Sequence, residues 1–427
     1  MKCYINGIIL DGTKDMKPVA DKAIITDGNR IVKIIDNNII NKEEYDEIIN
    51  LDGKYIMPGL INLHIHLPAS GKPSKKKKNP KKLVKLILKN NLTKKLGVLI
   101  EKKFAQTELL SGVTTIRTVG GVANFDTIVR DNINSGKYIG PRILASNMAI
   151  SVPEGHMAGS LAYEVKNINE ASIYTNKIIS EKPDLIKLMI TGGVLDAKVE
   201  GEPGELKMSP DIVKEVTSIA HKHNLKCAAH VESPEGVKVA LLNGVDTIEH
   251  GAKPDEEIIK LFKEHNAALV STLSPAIPYA LFDRTITGIS SVEQHNGKIV
   301  FDGIISCAKA CLENDILVGL GTDVGCPYIT HYNIFRELYY FHKYLNVSNS
   351  FALHTATLVN AKILGLDNII GSIEENKLAD FIITKENPLD NLEALRNISY
   401  VVADGKIIKN PKVKKYTKVE KVLDKYM

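Results

Sequence analysis

The segment from Leu60 to Leu67 carries two histidines, His64 and His66, near the end of an apolar run. Side chains in a β-strand alternate between faces, so residues two apart point the same way. The two imidazoles therefore project together, while Ile65 points away. Paired imidazoles at a strand end suit a metal ion. The alternative is that one histidine caps the strand and the other packs in the core.

Seven further apolar, β-prone runs follow, with helical patterns between them. They are residues 113–119, 142–150, 185–190, 226–230, 246–250, 268–273 and 316–323. Repeated strand–helix units with apolar strands predict an α/β fold in which helices cover a parallel sheet. Together with the 60–67 segment they make eight strands, which predicts a closed (β/α)8 TIM barrel.

Polar residues recur at the ends of these strands. Lys187 lies in the fourth strand, His230 ends the fifth, His250 ends the sixth and Asp323 ends the eighth. Parallel barrels gather their chemistry at the carboxyl ends of the strands. Five strands would thus bring potential metal ligands to one face, which favours the metal interpretation of the histidine pair in the first strand.

Both ends of the chain have β character. Short β-rich runs separated by Asp11-Gly12 and Asp27-Gly28-Asn29 occupy residues 1–57, and strand patterns return in residues 367–427 before a Lys-rich tail. We expect these two segments to form one small β-sandwich domain. Residues 58–366 would form the barrel.

Composition limits the classes of function. A hydrophobic share of 44% permits a large core, and a net charge of +5 over 427 residues is too weak to imply nucleic acid or a membrane. The five cysteines lack metal or disulfide spacing, and no apolar run of membrane-spanning length occurs, which predicts a cytoplasmic protein. The polybasic run at 72–82 predicts a solvated loop; an anionic partner is the alternative.

The segments around the strand ends form a set of motifs. They comprise Pro58-Gly59-Leu60-Ile61-Asn62-Leu63-His64-Ile65-His66, Lys187, His230, Glu249-His250-Gly251 and Gly321-Thr322-Asp323, with Ser111-Gly112-Val113-Thr114-Thr115, Gly140-Pro141-Arg142, Thr191-Gly192-Gly193-Val194 and residues 371–380. In this combination the chain resembles the amidohydrolase superfamily, and more closely its imidazolonepropionase-like members that include Xaa-Pro dipeptidases. The resemblance covers about residues 2–410.

The resemblance implies a site for two divalent metal ions. One ion would be held by His64, His66 and Asp323, and the other by His230 and His250. A carboxylated Lys187 would bridge the two ions. Burial lowers the pKa of a lysine and yields the neutral amine from which a carbamate forms. Zinc is the expected metal, although manganese, iron and cobalt suit the same ligands.

The resemblance also implies hydrolysis of a carbon–nitrogen bond. Two metal ions would lower the pKa of a bridging water to roughly 7, and the resulting hydroxide would attack the scissile carbonyl. Asp323 would take the proton from the attacking water and pass it to the leaving nitrogen. We expect an amide or peptide bond next to a carboxylate, as in an Xaa-Pro dipeptide or an N-acyl amino acid.

Three residues are candidates for substrate contact. His156 follows the third strand, where related enzymes place a Gly-His next to substrate. Tyr279 and Arg284, beyond the seventh strand, could hold a substrate carboxylate, Arg284 through its bidentate fork. Ordinary loop roles are the alternative for all three. We expect Glu249 to point away from the site, and a homo-oligomer is a further expectation, since relatives assemble.

Three other functions compete with this interpretation. A cyclic-amide hydrolase of the imidazolonepropionase type resembles the mononuclear branch that lacks the bridging lysine, so Lys187 argues against it. Deaminases of the superfamily tend to have Glu three residues after the fifth-strand histidine, whereas Glu232 lies two residues after His230 and Ser233 three. Non-catalytic scaffolds lose ligands, and all six ligands are present here.

Overall fold

The computed structural model describes residues 1–74 and 79–427, so part of the polybasic run at 72–82 lies outside the described residues. The strands are β1 (Lys2–Ile9), β2 (Val19–Asp27), β3 (Arg30–Asp36), β4 (Glu47–Asn50), β5 (Tyr55–Pro58), β6 (Leu60–Ile65), β7 (Val113–Thr118), β8 (Arg142–Leu144), β9 (Ala149–Ser151), β10 (Ala162–Glu164), β11 (Leu185–Met189), β12 (Lys226–Val231), β13 (Thr247–His250), β14 (Ala268–Ser271), β15 (Val318–Leu320), β16 (Phe381–Thr384), β17 (Ile398–Ala403) and β18 (Lys406–Lys409).

Helices alternate with the central strands. The α-helices are α1 (Pro80–Ile87), α2 (Asn91–Leu110), α3 (Phe125–Asn134), α4 (Ile168–Ser180), α5 (Pro210–Lys222), α6 (Pro234–Leu242), α7 (Glu256–Glu264), α8 (Leu273–Leu281), α9 (Arg284–Thr287), α10 (Ser291–Glu313), α11 (Ile334–Leu345), α12 (Asn349–His354), α13 (Asn360–Leu364) and α14 (Thr417–Leu423). A π-helical turn, Thr355–Val359, joins α12 to α13. The 3₁₀ turns are Asn37–Ile39, Lys42–Glu44, Leu392–Arg396 and Asp424–Tyr426. None of the described helices is long and apolar enough to cross a membrane.

The predicted α/β barrel is confirmed, with one change in its third strand. The expected strand at 142–150 is two short strands, of which β8 pairs with β7 and β9 pairs with β11, both in parallel. Asn147 between them has a φ of 59°, a left-handed conformation that interrupts an extended strand. The regular ladders therefore form a three-stranded sheet, β6–β7–β8, and a seven-stranded sheet, β10–β9–β11–β12–β13–β14–β15.

The first and last barrel strands meet just beyond the end of β15. The backbone N–H of Asp323 donates to the carbonyl of His64 (2.8 Å), and the N–H of His66 donates to the carbonyl of Val324 (3.0 Å). Beside these bonds, the side-chain amide of Asn62 donates to the Thr322 hydroxyl (2.8 Å), and its oxygen accepts from the backbone N–H of Thr322 (3.0 Å). The barrel is thus closed by the same residues that carry the candidate ligands.

Asn360 makes a second connection across this junction. Its side-chain amide donates to the carbonyls of Ile61 (2.7 Å) and Leu320 (3.0 Å), and its oxygen accepts from the N–H of Leu320 (3.0 Å). Asn360 is fully buried and follows the π-helical turn directly. One side chain therefore pairs three buried backbone groups where the regular ladder has ended.

Both chain ends share one β domain, as expected. Its strand order is β18–β17–β16–β5–β1–β2–β3, with β4 paired to β1. The link between the ends is antiparallel pairing of β16 with β5, which sets Phe381 opposite Pro58. This pairing leads directly into β6 and the histidine pair. The domain boundaries at 57/58 and 366/367 stay a prediction.

Asn360→Ala should lower the free energy of unfolding by about 2–4 kcal/mol, because three buried backbone groups lose their partner. Urea denaturation of the purified chain measures this. Asn176→Ala is the control, since the exposed Asn176 amide donates only to the Ser172 carbonyl of its own helix and its loss should cost about 0.5 kcal/mol or less. Equal midpoints for the two variants would contradict the role given to Asn360.

Candidate functional site

The predicted ligands converge at the carboxyl ends of the barrel strands. The ring centroid of His250 lies 4.9 Å from that of His64 and 4.6 Å from that of His230, and His64 lies 5.5 Å from His66. Asp323 Oδ1 is 3.5 Å from His64 Nε2 and 3.2 Å from His66 Nε2. Four imidazoles and one carboxylate thus form a single buried cluster.

Two of these residues have an unusual backbone conformation. His250 and Asp323 have φ angles of 69° and 50°, a left-handed conformation that non-glycine residues seldom adopt. Gly321 must lie close to the first strand, because a Cβ there would be 2.5 Å from the backbone nitrogen of His64. This close approach explains the glycine of the Gly-Thr-Asp motif.

Hydrogen bonds orient the imidazoles. His64 Nδ1 lies 2.7 Å from Glu249 Oε2, His66 Nδ1 lies 2.9 Å from the carbonyl of Gly120, and His250 Nδ1 lies 2.6 Å from the Thr272 hydroxyl. A carboxylate and a carbonyl only accept, so His64 and His66 carry their protons on Nδ1 and turn the Nε2 lone pairs toward the cluster. This is the usual arrangement behind metal-binding histidines.

Burial keeps His64, His230 and His250 neutral. It lowers the pKa of His250 to about 4 and the pKa values of His64 and His230 well below the ordinary value. For Asp323, burial favours a higher pKa, but the neighbouring His64 and His66 outweigh it and hold the pKa below its usual range. At neutral pH the cluster therefore offers imidazole lone pairs and a carboxylate.

Lys187 lies in β11 and is fully buried. Among the described residues its Nζ atom has no hydrogen-bond partner. Burial lowers its pKa to about 8, while the Glu249 carboxylate acts in the opposite direction. A buried ammonium without an acceptor is costly, so the pocket suits a neutral or modified amine.

The expected outward orientation of Glu249 is wrong. Its carboxylate accepts hydrogen bonds from Arg117 Nη2 (2.6 Å) and the Thr247 hydroxyl (2.8 Å) in addition to His64. Arg117 Nε in turn donates to the carbonyl of Leu63 (2.7 Å). The left-handed φ of His250 breaks the strand alternation, so both Glu249 and its neighbour reach the barrel interior.

Of the three proposed substrate residues, His156 and Tyr279 lie near the cluster, whereas Arg284 lies on the surface. The His156 ring stacks on His230 at 4.2 Å between centroids, and its Nδ1 lies 2.5 Å from Asp196 Oδ2. Tyr279 is buried on α8, and burial, followed by nearby groups that include Asp323, raises the pKa of its hydroxyl. Arg284 is exposed at the start of α9 and makes no hydrogen bond or ion pair with the cluster among the described residues.

Glu232 is a site residue that the sequence analysis did not assign. Ligand atoms of His230, Glu232 and His250 all lie within 4.8 Å of one another, as do those of His64, His250 and Asp323. Burial, and then the charge of Asp323, raises the pKa of Glu232 to about 8. The signal in the sequence was its spacing of two residues from His230, which places both side chains on the same face of a strand.

A third group of potential ligands, His221, Cys227 and Asp246, lies at the opposite end of the barrel, where β12 and β13 begin. The Asp246 carboxylate already accepts from the backbone N–H of Cys227 (2.7 Å) and contacts His221 Nε2 (2.9 Å). These contacts join the starts of two strands, which accounts for the group structurally.

Two solved structures share the complete architecture. The structure of a candidate prolidase from Bifidobacterium longum is 34% identical, covers 100% of this chain and 98% of its own, and has a TM-score of 0.87. An Xaa-Pro dipeptidase with methionine bound in its active site is 27% identical, covers 96% of this chain and 99% of its own, and has a TM-score of 0.82.

The sequence comparisons match one family but find more than one kind of enzyme among the relatives. A model described as the amidohydrolase family matches residues 55–408. Ochratoxinase of Aspergillus niger is 25% identical over 335 residues, which are 71% of this chain and 67% of that protein. A 5'-deoxyadenosine deaminase of Methanococcus maripaludis is 26% identical over 420 residues, which are 91% of this chain and 90% of that protein.

Glu249→Leu should lower the free energy of unfolding of the metal-free protein by about 3–5 kcal/mol, because it leaves the Arg117 guanidinium buried and unpaired. The double variant Arg117→Met/Glu249→Leu should recover part of that loss, since neither charge is then buried. Chemical denaturation of the two single variants and the double variant measures the coupling. Strictly additive losses would show that the pair is not coupled.

Proposed function

The chain belongs to the amidohydrolase family, and on that premise we propose that it is a metal-dependent hydrolase that cleaves an amide or peptide bond next to a carboxylate. An Xaa-Pro dipeptide or an N-acyl amino acid is the proposed substrate. The observation that carries the proposal is the meeting of His64, His66, His230, His250 and Asp323 around the unpaired Lys187.

These residues fit two divalent metal ions. His64, His66 and Asp323 would hold one, His230 and His250 the other, and Lys187 carboxylated on Nζ would supply an oxygen ligand to both. The orphaned Nζ atom supports the modification, because a carbamate replaces a buried amine that lacks an acceptor by an anion with partners. Zinc is the proposed metal, since imidazole and carboxylate ligands suit it, as they also suit manganese, iron and cobalt.

When bound, such ions lower the pKa of a water and polarise a carbonyl. Asp323 would accept the proton of that water and deliver it to the leaving nitrogen. Its pKa below the ordinary range keeps it ionised at neutral pH. Glu249 and Gly120 hold the His64 and His66 rings in place, so that the reacting groups meet without rearrangement.

The relatives support a substrate with a free carboxylate. A dipeptidase of similar fold has an amino acid, methionine, bound in its active site, and the relative with 34% identity is a candidate prolidase. In this chain, the buried Tyr279 and the half-buried His156 border the cluster and would contact the substrate. Arg284 would need to move from the surface to hold a substrate carboxylate.

Deamination is the second candidate, because one relative matched over 91% of this chain is a deaminase. Against it stands the position of Glu232, two residues after His230 rather than three. A cyclic-amide hydrolase remains an alternative that the buried, unpaired Lys187 argues against. A cytoplasmic location, a homo-oligomer and the absence of nucleic-acid and membrane partners stay predictions.

Asp323→Asn should lower kcat by about 10²–10⁴-fold, because the amide cannot carry the proton from water to the leaving group. The metal content of the purified variant should change little, since the amide oxygen can still coordinate. Turnover of the best substrate and elemental analysis of the same sample test the two parts. An unchanged kcat would exclude Asp323 as the proton carrier.

A screen of the zinc-loaded protein against Xaa-Pro dipeptides, N-acyl amino acids, hydantoins, lactams and adenosine derivatives should show hydrolysis only of substrates with a free carboxylate. Elemental analysis should give about two metals per chain. Dipeptide amides, which lack only the carboxylate charge, are the matched control. Activity confined to lactams or hydantoins would establish the cyclic-amide alternative, and ammonia release from adenosine derivatives would establish the deaminase.

A further inference from the structure

Glu232 directly follows β12 and lies between the ligand cluster and a cavity of about 540 Å³. This cavity is also lined by residues 201–206 and by Pro234, Glu235 and Ile299. On its inner side, Glu232 approaches His230 and His250, with ligand atoms within 4.8 Å of one another. The carboxylate therefore lies between this cavity and the two histidines.

One oxygen of the Glu232 carboxylate lacks a hydrogen-bond partner among the described residues. Glu232 Oε2 is buried and makes no hydrogen bond among the described residues. Neither of its oxygens takes part in an ion pair within the described part of the chain. Buried polar atoms are nearly always paired, and an unpaired buried oxygen in a native structure calls for an absent ion or water.

The backbone around Glu232 is held firmly. Its N–H donates to the Thr191 hydroxyl at 3.0 Å. Gly204 packs so closely against it that a Cβ there would lie 2.3 Å from the Glu232 carbonyl oxygen. The carboxylate thus projects from a fixed position beside the two histidines, and adjustment of the side chain alone decides its distance to a metal.

We infer that Glu232 is a ligand of the divalent metal held by His230 and His250, an inference that rests on the proposed metal-dependent function. Two ligand atoms that each lie roughly 2.0–2.2 Å from one zinc ion are at most about 4.4 Å apart. The ligand atoms of His230, Glu232 and His250 lie within 4.8 Å of one another, so adjustment of side chains can bring them into that range. With the Lys187 carbamate, Glu232 and the two histidines would supply four ligands, and the water of the proposed reaction would make the ion five-coordinate, which catalytic zinc sites allow.

The charges favour the same assignment. Two dications carry four positive charges, against which Asp323 and the carbamate offer only two negative ones. A third carboxylate brings the buried site closer to neutrality, which lowers the cost of placing the ions away from water. It also gives the second metal an anionic ligand that does not depend on carbon dioxide.

Zinc titration of the metal-free protein tests the inference. The wild type should bind about two zinc ions, whereas Glu232→Gln should keep one and bind the second at least about tenfold more weakly. Glu235→Gln is the matched control, because Glu235 lines the same cavity but is exposed and absent from the ligand groups. Two zinc ions bound with wild-type affinity by Glu232→Gln would overturn the assignment.

A second measurement avoids any effect of the substitution on folding. In a crystal structure of the zinc-loaded wild type, a Glu232 oxygen should lie at roughly 2.0–2.2 Å from the ion beside His230. A distance beyond about 3 Å would exclude Glu232 as a ligand and leave the proposed function intact. A wild type that binds no zinc would instead overturn the proposed function itself.

Discussion

The site depends on one junction, where the backbone of Asp323 bonds that of His64 and closes the barrel. His64 and Asp323, at the ends of the first and eighth strands, are 259 positions apart in sequence, yet they are ligand candidates of one metal. Gly321 permits the approach, and the Asn62 and Asn360 amides pair the backbone groups that the ladder leaves open. The contacts that close the barrel therefore also bring the ligand candidates together.

A second layer of buried polar contacts gives the cluster its electrostatic character. The Glu249 carboxylate is neutralised by Arg117 and at the same time fixes the proton of His64. Lys187 and Glu232 differ from it, because each has a buried atom without a hydrogen-bond partner in the described part of the chain. The hydrogen-bonded groups hold the geometry of the histidine rings, whereas Lys187 and Glu232 are the residues to which the proposals assign a role in metal binding.

Much of the fold and the ligand set could be predicted from local patterns. Alternation put His64 and His66 on one face, and repeated strand–helix units implied a barrel whose strand ends meet. The break in the third strand at Asn147 and the inward orientation of both Glu249 and His250 could not be foreseen, because they depend on left-handed φ angles at Asn147 and His250. Asparagine and histidine adopt that conformation more readily than most residues, but the sequence does not show at which positions they do so.

The sequence by itself determined the element types, the order of the strands and the residues that carry coordinating atoms, since these follow from the apolar period and the chemistry of each side chain. Only the tertiary structure decided which atoms lack partners, and so distinguished Lys187 and Glu232 from the paired Glu249. It also left Arg284 on the surface. Pairing and exposure depend on neighbours distant in the chain, and such contacts leave no local pattern.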